Sequence, residues 1–548
     1  MVDMLFRGAT LVDGSGQPTR PADVAVVGER IVEIAAAGSL PRGRRTIDAT
    51  GLALAPGFID MHSHADFTLP AYPGALNSLS QGVTSEVVGN CGWSPAPLSD
   101  DRGKRAAMQG IAAGIGPDLD WEWGTTASFF DRLDAARPAV NCIPLVGHSA
   151  LRVAVMGMDD REPTDGESHA LVELLGRCLA EGAWGMSSGL VYPPSSFAAP
   201  AELVALASRV AEDGALYASH TRDEADHAVA AVVEAIRTAE LSGVRLQVSH
   251  LKSAGVANRG RVQESLRVIA AARDRGLDVH CDVYPYEAMS TFLSQALPPW
   301  VLEGGVQQMV ERLRSAEVRA RIAGEVVQGL PGWANLVAAV GGWERVFITH
   351  TVARSTASAA GRWLIQVAAE QGRSPLDAAI DLLVADHGGT VMILFGLHED
   401  DVRSVLAAPF AAVGSDQLGV VGPDARVHPR AWGTFARVVG AMVRDGLLPL
   451  SEAVHRMTGM PARILGLADR GRVVPGAVAD LVLFDPATVS DRATYERPSL
   501  PAAGIEMVTL AGRPAVDGGV VVDARAGHVL RRSSTDQRAG PTRITDVS

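Results

Sequence analysis

The chain has 548 residues, 47% hydrophobic and 20% charged, a globular composition that excludes disorder over most of its length. Its 62 acidic residues outnumber 49 basic ones, and the net charge of −13 argues against a nucleic acid or an anionic membrane as partner, since both need a basic face. Four cysteines are too few for a disulfide framework, the N-terminus lacks an apolar core of signal-peptide length, and no apolar run reaches about 18 residues, so a cytoplasmic protein is expected.

In chain order, the first 56 residues read as short strands. Met4–Phe6, Thr10–Val12 and Val24–Val27 are β-prone runs, with turn chemistry at Asp13-Gly14-Ser15-Gly16 and Gly28-Glu29. The same texture returns at 471–485 and 507–510. Both chain ends are therefore expected to build one small β-sandwich domain from 1–56 and 468–530, two unrelated β appendages being the alternative. Residues 531–548 read as a flexible, solvated tail.

Between the ends, apolar strands alternate with helical patterns. The strands are Phe58–Met61, Val83–Val88, Ile143–Val146, Ala183–Ser187, Leu216–Ser219, Leu246–Ser249, Val279–Tyr284 and Ala411–Gly414; helices are expected at Ala201–Ala211 and Ala225–Leu241, among others. Eight β-then-α units predict an α/β protein, a (β/α)8 TIM barrel over 57–467, with a doubly wound open sheet as the alternative. About 125 residues separate the last two strands and carry their own strands (346–349, 391–395), which predicts an inserted lid subdomain at about 292–410.

His62-Ser63-His64 follows the first strand, a spacing that puts both imidazoles on one side of an extended segment. Alone it is weak evidence, because 14 histidines in 548 residues give about 0.4 such pairs by chance. Placement strengthens it. Cys91 lies just past the second strand, His220 ends the fifth, His250 the sixth and Asp416 the eighth, and in a parallel barrel all these ends face one side. Imidazoles with a thiolate suit zinc or another borderline-soft divalent ion, and three protein ligands leave a position for water. Such an ion lowers the water's pKa and polarises a carbonyl, and a nearby carboxylate, Asp416, can carry the proton to a leaving nitrogen.

These residues resemble a known family. Pro56-Gly57-Phe58-Ile59-Asp60-Met61-His62-Ser63-His64, in a barrel bracketed by split β segments, looks like the amidohydrolase superfamily. Gly89-Asn90-Cys91-Gly92, Leu145-Val146-Gly147-His148, the 185–194 run, Asp282-Val283-Tyr284-Pro285-Tyr286 and the 428–435 run resemble, more narrowly, the D-aminoacylases (N-acyl-D-amino-acid deacylases). The cysteine motif is the specific one, since most of the superfamily uses a modified lysine or a glutamate there.

The resemblance implies zinc-dependent hydrolysis of the amide bond of small-molecule N-acyl-D-amino acids by metal-activated water. It implies one tight zinc at Cys91, His220 and His250, a weaker second site at or near His62 and His64, and Asp416 as general acid/base. Arg430 matches the clamp for the substrate α-carboxylate, and Lys252, Tyr284 and Ser290 match positions lining that subsite. A planar guanidinium is indeed the best bidentate donor to a carboxylate. Bland roles compete: Arg430 as a surface ion pair, Lys252 as a solvated loop residue, Tyr284 as a core aromatic. His148 and His350 read as structural, Cys142, Cys178 and Cys281 as inert buried thiols, and Trp93 as either narrowing the entrance or packing.

Two features depart from the family. Gln417 stands where glycine is usual, and the loop Leu418–Val427 is longer; both are expected beside the substrate end of the pocket, where they would alter acyl or side-chain preference. The rivals are a cyclic amidase or dipeptidase of the same superfamily, for which Gly185–Leu190 offers no lysine, and a non-catalytic assembly protein on the same barrel.

Overall fold

A computed structural model describes residues 2–116, 119–522 and 525–533. Eight parallel strands follow the expected order: β1 (Phe58–Asp60), β2 (Val83–Val88), β3 (Asn141–Pro144, continued by Val146–Gly147), β4 (Gly185–Gly189), β5 (Leu216–His220), β6 (Arg245–Val248), β7 (Val279–Val283) and β8 (Ala411–Val413). β1 pairs with β2 and β2 with β3, while β3 through β8 pair in sequence. The ring closes just past the strands, where Met61 N–H donates to Val413 O, Asp416 N–H to His62 O and His64 N–H to Gln417 O. That closure requires Gly414, because a Cβ there would stand 2.6 Å from the Cβ of His62. Apart from Arg245 at the start of β6, the strands are buried on both faces, as those of a parallel barrel covered by helices must be.

The helices Pro200–Glu212 and Ala228–Ser242 fall where helical spacing places them, and each buries its Leu, Val, Ile and Ala stripe against the barrel. The two chain ends share one sheet. Ala53–Pro56 pairs antiparallel with Leu481–Phe484, joining five N-terminal strands to four C-terminal ones in a nine-stranded sheet. That sheet folds over its own core of Phe6, Leu11, Val24, Leu54, Leu483 and Met507. The runs at 4–6 and 10–12 belong to a single strand, Met4–Leu11, because Gly8, at φ 69°, supplies a bulge that lets pairing continue across it.

Between β7 and β8 lies a separate antiparallel sheet, Ala288–Phe292, Val391–Phe395, Val346–His350 and Arg362–Trp363, with its own helices and core. This unit begins at Ala288, ahead of the expected 292, so Ser290 sits in its edge strand; Glu399–Ala407 packs on the barrel helix Val262–Asp274 as an ordinary crossover helix. The chain after 525 leaves the small domain and docks on the barrel. Cys142 N–H donates to His528 O, Leu530 N–H to Cys142 O, and Arg531 bonds Asp131 at 2.6 Å. The tail expected over 531–548 therefore starts with anchored residues, and from 534 onward it lies outside the described residues. No helix among the described residues is long and apolar enough to cross a membrane.

Candidate metal centre and substrate pocket

The ends of β1, β2, β5, β6 and β8 deliver His62, His64, Cys91, His220, His250 and Asp416 to one buried cluster. Cys91 Sγ lies 3.2 Å from His62 Nε2, 3.4 Å from His250 Nε2 and 3.5 Å from His220 Nδ1. A tetrahedral ion with sulfur at about 2.3 Å and nitrogens at about 2.0–2.1 Å spaces neighbouring ligand atoms roughly 3.5 Å apart, so the donor set fits zinc or a similar ion. His64 Nε2 is 3.3 Å and His62 Nε2 3.6 Å from Asp416 Oδ1. Burial alone would push the Cys91 thiol up; the imidazoles of His62, His250 and His220 outweigh it and hold the thiol well below its ordinary value. The other cysteines lack such neighbours, and burial raises all three, Cys178 to about 12.

Cys91, His250 and Asp416 have φ of 53°, 33° and 50°, three of the eight non-glycine residues with positive φ among those described. Left-handed backbone at such residues costs about 1–3 kcal/mol each and persists where the surroundings over-determine it, typically at functional sites. Close packing supplies that constraint: a Cβ on Gly189, at the end of β4, would stand 2.0 Å from the Cys91 carbonyl oxygen.

Two carboxylates that sequence reasoning left without a role complete the cluster. Glu224 Oε1 is 3.0 Å from His250 Nδ1, and Oε2 is 3.5 Å from His220 Nε2. Asp282 Oδ1 is 3.2 Å from His62 Nδ1 and accepts the His250 backbone N–H at 2.8 Å, while Oδ2 accepts from Gln247. Such partners fix imidazole orientation and tautomer. Glu224, four residues past His220 in the same loop, was the available signal; Asp282 lies within a motif already singled out. Burial would raise the Glu224 carboxyl, but His220, Lys252 and His250 outweigh it and hold it well below the usual range.

Asp416 also pairs with Arg430, whose Nη2 donates to Asp416 Oδ2 at 2.9 Å. Burial opposes the Asp416 charge, yet Arg430, His250 and His62 keep it ionised, its pKa well below the usual carboxylate range. The Arg430 guanidinium lies 4.5 Å from the Tyr284 ring centroid. Its Nε and Nη1, together with Tyr284 Oη, are buried without partners among the described residues. Of the two residues Tyr284 borders the cavity, as Asp416 does, and Arg430 touches both; buried donors without an acceptor in such a place suit an anion. Lys252 lines the same cavity, but its ammonium is committed to Glu224 Oε1 at 2.5 Å and lies 2.8 Å from His250 Nδ1. Ser290 lines it too, its hydroxyl donating to Met392 O. Trp93 packs on Tyr192 and Phe292 and forms part of the cavity wall, so it both packs and narrows.

Gln417 does not line the cavity. Its side chain turns inward, where Oε1 accepts from Asn77 Nδ2 at 2.6 Å and Nε2 donates to Glu86 Oε2 at 2.8 Å, and Leu418 takes the place at the pocket. His148 sits between Ser195 and Glu202, away from the metal cluster, and His350 belongs to the inserted sheet.

The amidohydrolase family model matches residues 45–516. A D-aminoacylase from Alcaligenes xylosoxydans xylosoxydans is 38% identical over 97% of this chain and 98% of its own length, and an N-acyl-D-aspartate deacylase from the same organism is 40% identical over 96% and 95%. An N-acyl-D-glutamate deacylase from Bordetella bronchiseptica, solved with zinc and a phosphonate mimic of the tetrahedral intermediate, superposes with a TM-score of 0.79 at 35% identity, covering 97% of this chain and 99% of that one. With its barrel, its cysteine-centred cluster and these full-length likenesses, the chain belongs to the amidohydrolase family, in the D-aminoacylase branch.

Proposed function

We propose that the protein hydrolyses the amide bond of N-acyl-D-amino acids to a carboxylate and a free D-amino acid, using one zinc ion at Cys91, His220 and His250 and a weaker second site at His62 and His64. The observation that carries this reading is the adjacency of two features: a cysteine sulfur ringed by three imidazoles within 3.5 Å, and the buried, unpartnered donors of Arg430 and Tyr284, with Asp416 in contact with both Arg430 and the histidines. A zinc ion held there supplies a Lewis acid that polarises a carbonyl and makes water acidic near neutrality.

The protein's own residues do the rest. Arg430, through Nε and Nη1, and Tyr284 Oη hold the substrate α-carboxylate, which fixes the amide against the cluster. Asp416, ionised and 3.3 Å from His64, takes the proton of the attacking water and delivers it to the departing nitrogen. Glu224 and Asp282 hold the histidine rings in orientation. Lys252 serves by neutralising Glu224 at the edge of the subsite. D-stereochemistry is supported by the kinship with D-specific deacylases. Four unpaired thiols support a reducing, cytoplasmic setting.

The test is turnover of paired N-acetyl-D- and N-acetyl-L-amino acids, one apolar and one acidic, by zinc-supplemented enzyme. Selective release of the D-amino acid is expected. Preference for the L-series, or hydrolysis of hydantoin with neither series cleaved, overturns the reading.

A further inference from the structure

The catalytic cavity, about 30 Å³, shares wall residues with two further spaces of about 40 Å³ and about 360 Å³, and Gln295 lines all three. Gln295 stands in the single helical turn Leu293–Ala296, which follows the edge strand of the inserted unit. It is half-buried, and its amide has no hydrogen-bond partner among the described residues. The charged groups around it are already matched. On the walls of the catalytic cavity, Glu224 pairs with Lys252 at 2.5 Å and Asp416 with Arg430 at 2.9 Å. Arg430 Nε and Nη1 and Tyr284 Oη then remain for one carboxylate. In the largest space Arg222 is committed to Glu234 at 2.9–3.1 Å and to the carbonyls of Ser196 and Ala198, while Asp160 is an exposed acid. The smaller side space has no charged residue among its described walls.

The site thus holds donors for a single carboxylate, and the unmatched charge nearby, Asp160, is negative. A second carboxylate on the substrate would lose its hydration without meeting a cation, and a buried charge left unpaired is costly. A neutral side chain carries no such penalty, and an amide such as that of Gln295 can both donate to it and accept from it. We infer that the protein selects N-acyl-D-amino acids with neutral side chains, and that Gln295 sets this selection by presenting an uncharged amide where an acidic substrate would need a cation. This selection presupposes the deacylase reading above.

The experiment uses the zinc-loaded full chain and two substrate pairs of nearly one shape that differ in charge: N-acetyl-D-glutamine with N-acetyl-D-glutamate, and N-acetyl-D-asparagine with N-acetyl-D-aspartate. Each amide is expected to exceed its acid in kcat/KM by about thirtyfold or more, chiefly through KM. Gln295→Lys, which brings an ammonium to the meeting of the three spaces, is expected to shrink the glutamine-to-glutamate ratio by about tenfold or more. Gln295→Met, which adds no charge, is expected to go on rejecting the acids. Acids turned over as well as their amides overturn the selection and leave the deacylase reading standing. An unchanged ratio in folded Gln295→Lys, or acids accepted by Gln295→Met, overturns the assignment to Gln295. Cleavage of none of the four, nor of N-acetyl-D-methionine, overturns the deacylase reading and the selection with it. Should Gln295→Lys fail to fold, the wild-type pairs decide the selection and Gln295→Arg replaces it as the test of the residue.

Discussion

Replacing Arg430 by lysine keeps the positive charge beside Asp416 but removes the planar fork. In the structure, Arg430 Nη2 is committed to Asp416, and Nε and Nη1 are the two donors left for a ligand. A lysine that retains the Asp416 contact offers a substrate carboxylate a single remaining point of attachment. Losing one charge-assisted hydrogen bond of about 1.5–3 kcal/mol lowers kcat/KM roughly 10–150-fold. The decisive assay is a cycle with two substrates: an N-acetyl-D-amino acid, and the matching N-acetyl amine in which hydrogen replaces the α-carboxylate. Arg430→Lys is expected to cripple the first and leave the already slow turnover of the second unchanged, because the lost interaction involves only the carboxylate. Equal losses on both substrates would refute the clamp and show that Arg430 works solely by holding Asp416.

Asp416→Asn is expected to retain metal in elemental analysis while turnover falls by about 10²–10⁴-fold; asparagine tolerates the left-handed backbone at this position, so a loss would report the carboxylate and not strain. Gln417→Gly is expected to reduce unfolding free energy by about 1–3 kcal/mol in denaturant titration, since Glu86 loses an amide donor, without changing substrate preference; a changed preference would return Gln417 to the pocket. Glu202 is held below its ordinary value of 4.5, burial raising it but His148 and Arg152 prevailing. Because its folded pKa is depressed, its contribution is present above that value and lost as pH falls through and below it. The melting temperature of wild type should therefore fall more steeply between about pH 5 and 3 than that of Glu202→Gln, and parallel curves would contradict this.

The parts of the molecule that follow from local pattern were legible in advance. The barrel strands are short runs, buried except at Arg245 and most of them rich in Val, Ile, Leu and Ala, and Cys91, His220, His250 and Asp416 stand where such runs end. What sequence hid was long-range and polar. Glu224 and Asp282 matter because of which imidazole nitrogen they meet, a relation set by the loop after β5 and by β7 itself. The left-handed φ of Cys91, His250 and Asp416 has no local signature, since none is glycine. Lys252 was expected to face the substrate, and its pairing with Glu224 follows from a partner 28 residues away whose own role was unseen. The continuity of Met4–Leu11 was masked because Gly8 reads as a turn residue when it serves a bulge.

Gln417 shows how a departure from family pattern can leave the chemistry intact. Beneath the metal cluster lie two fully buried acids. Asp60 accepts the N–H groups of His62 and Ser415 and the Ser415 hydroxyl, and Glu86 accepts from Ser63 and Ser78. Burial first, and Glu86 next, push Asp60 up to about 8, and burial raises Glu86 as well. Glu86 still needs donors for its lone pairs, and an unsatisfied buried carboxylate is expensive. The Gln417 amide is one, and its own oxygen is in turn satisfied by Asn77. The side chain therefore ties the residue after Asp416 to the segment after His62 through Ser63 and Glu86, so the two loops that place the acid/base and the histidine pair share one support. A glycine there leaves that tie to backbone alone. The substitution thus acts on the rigidity of the loop behind Asp416, and substrate preference falls to the residues that do reach the cavity, Leu418 among them.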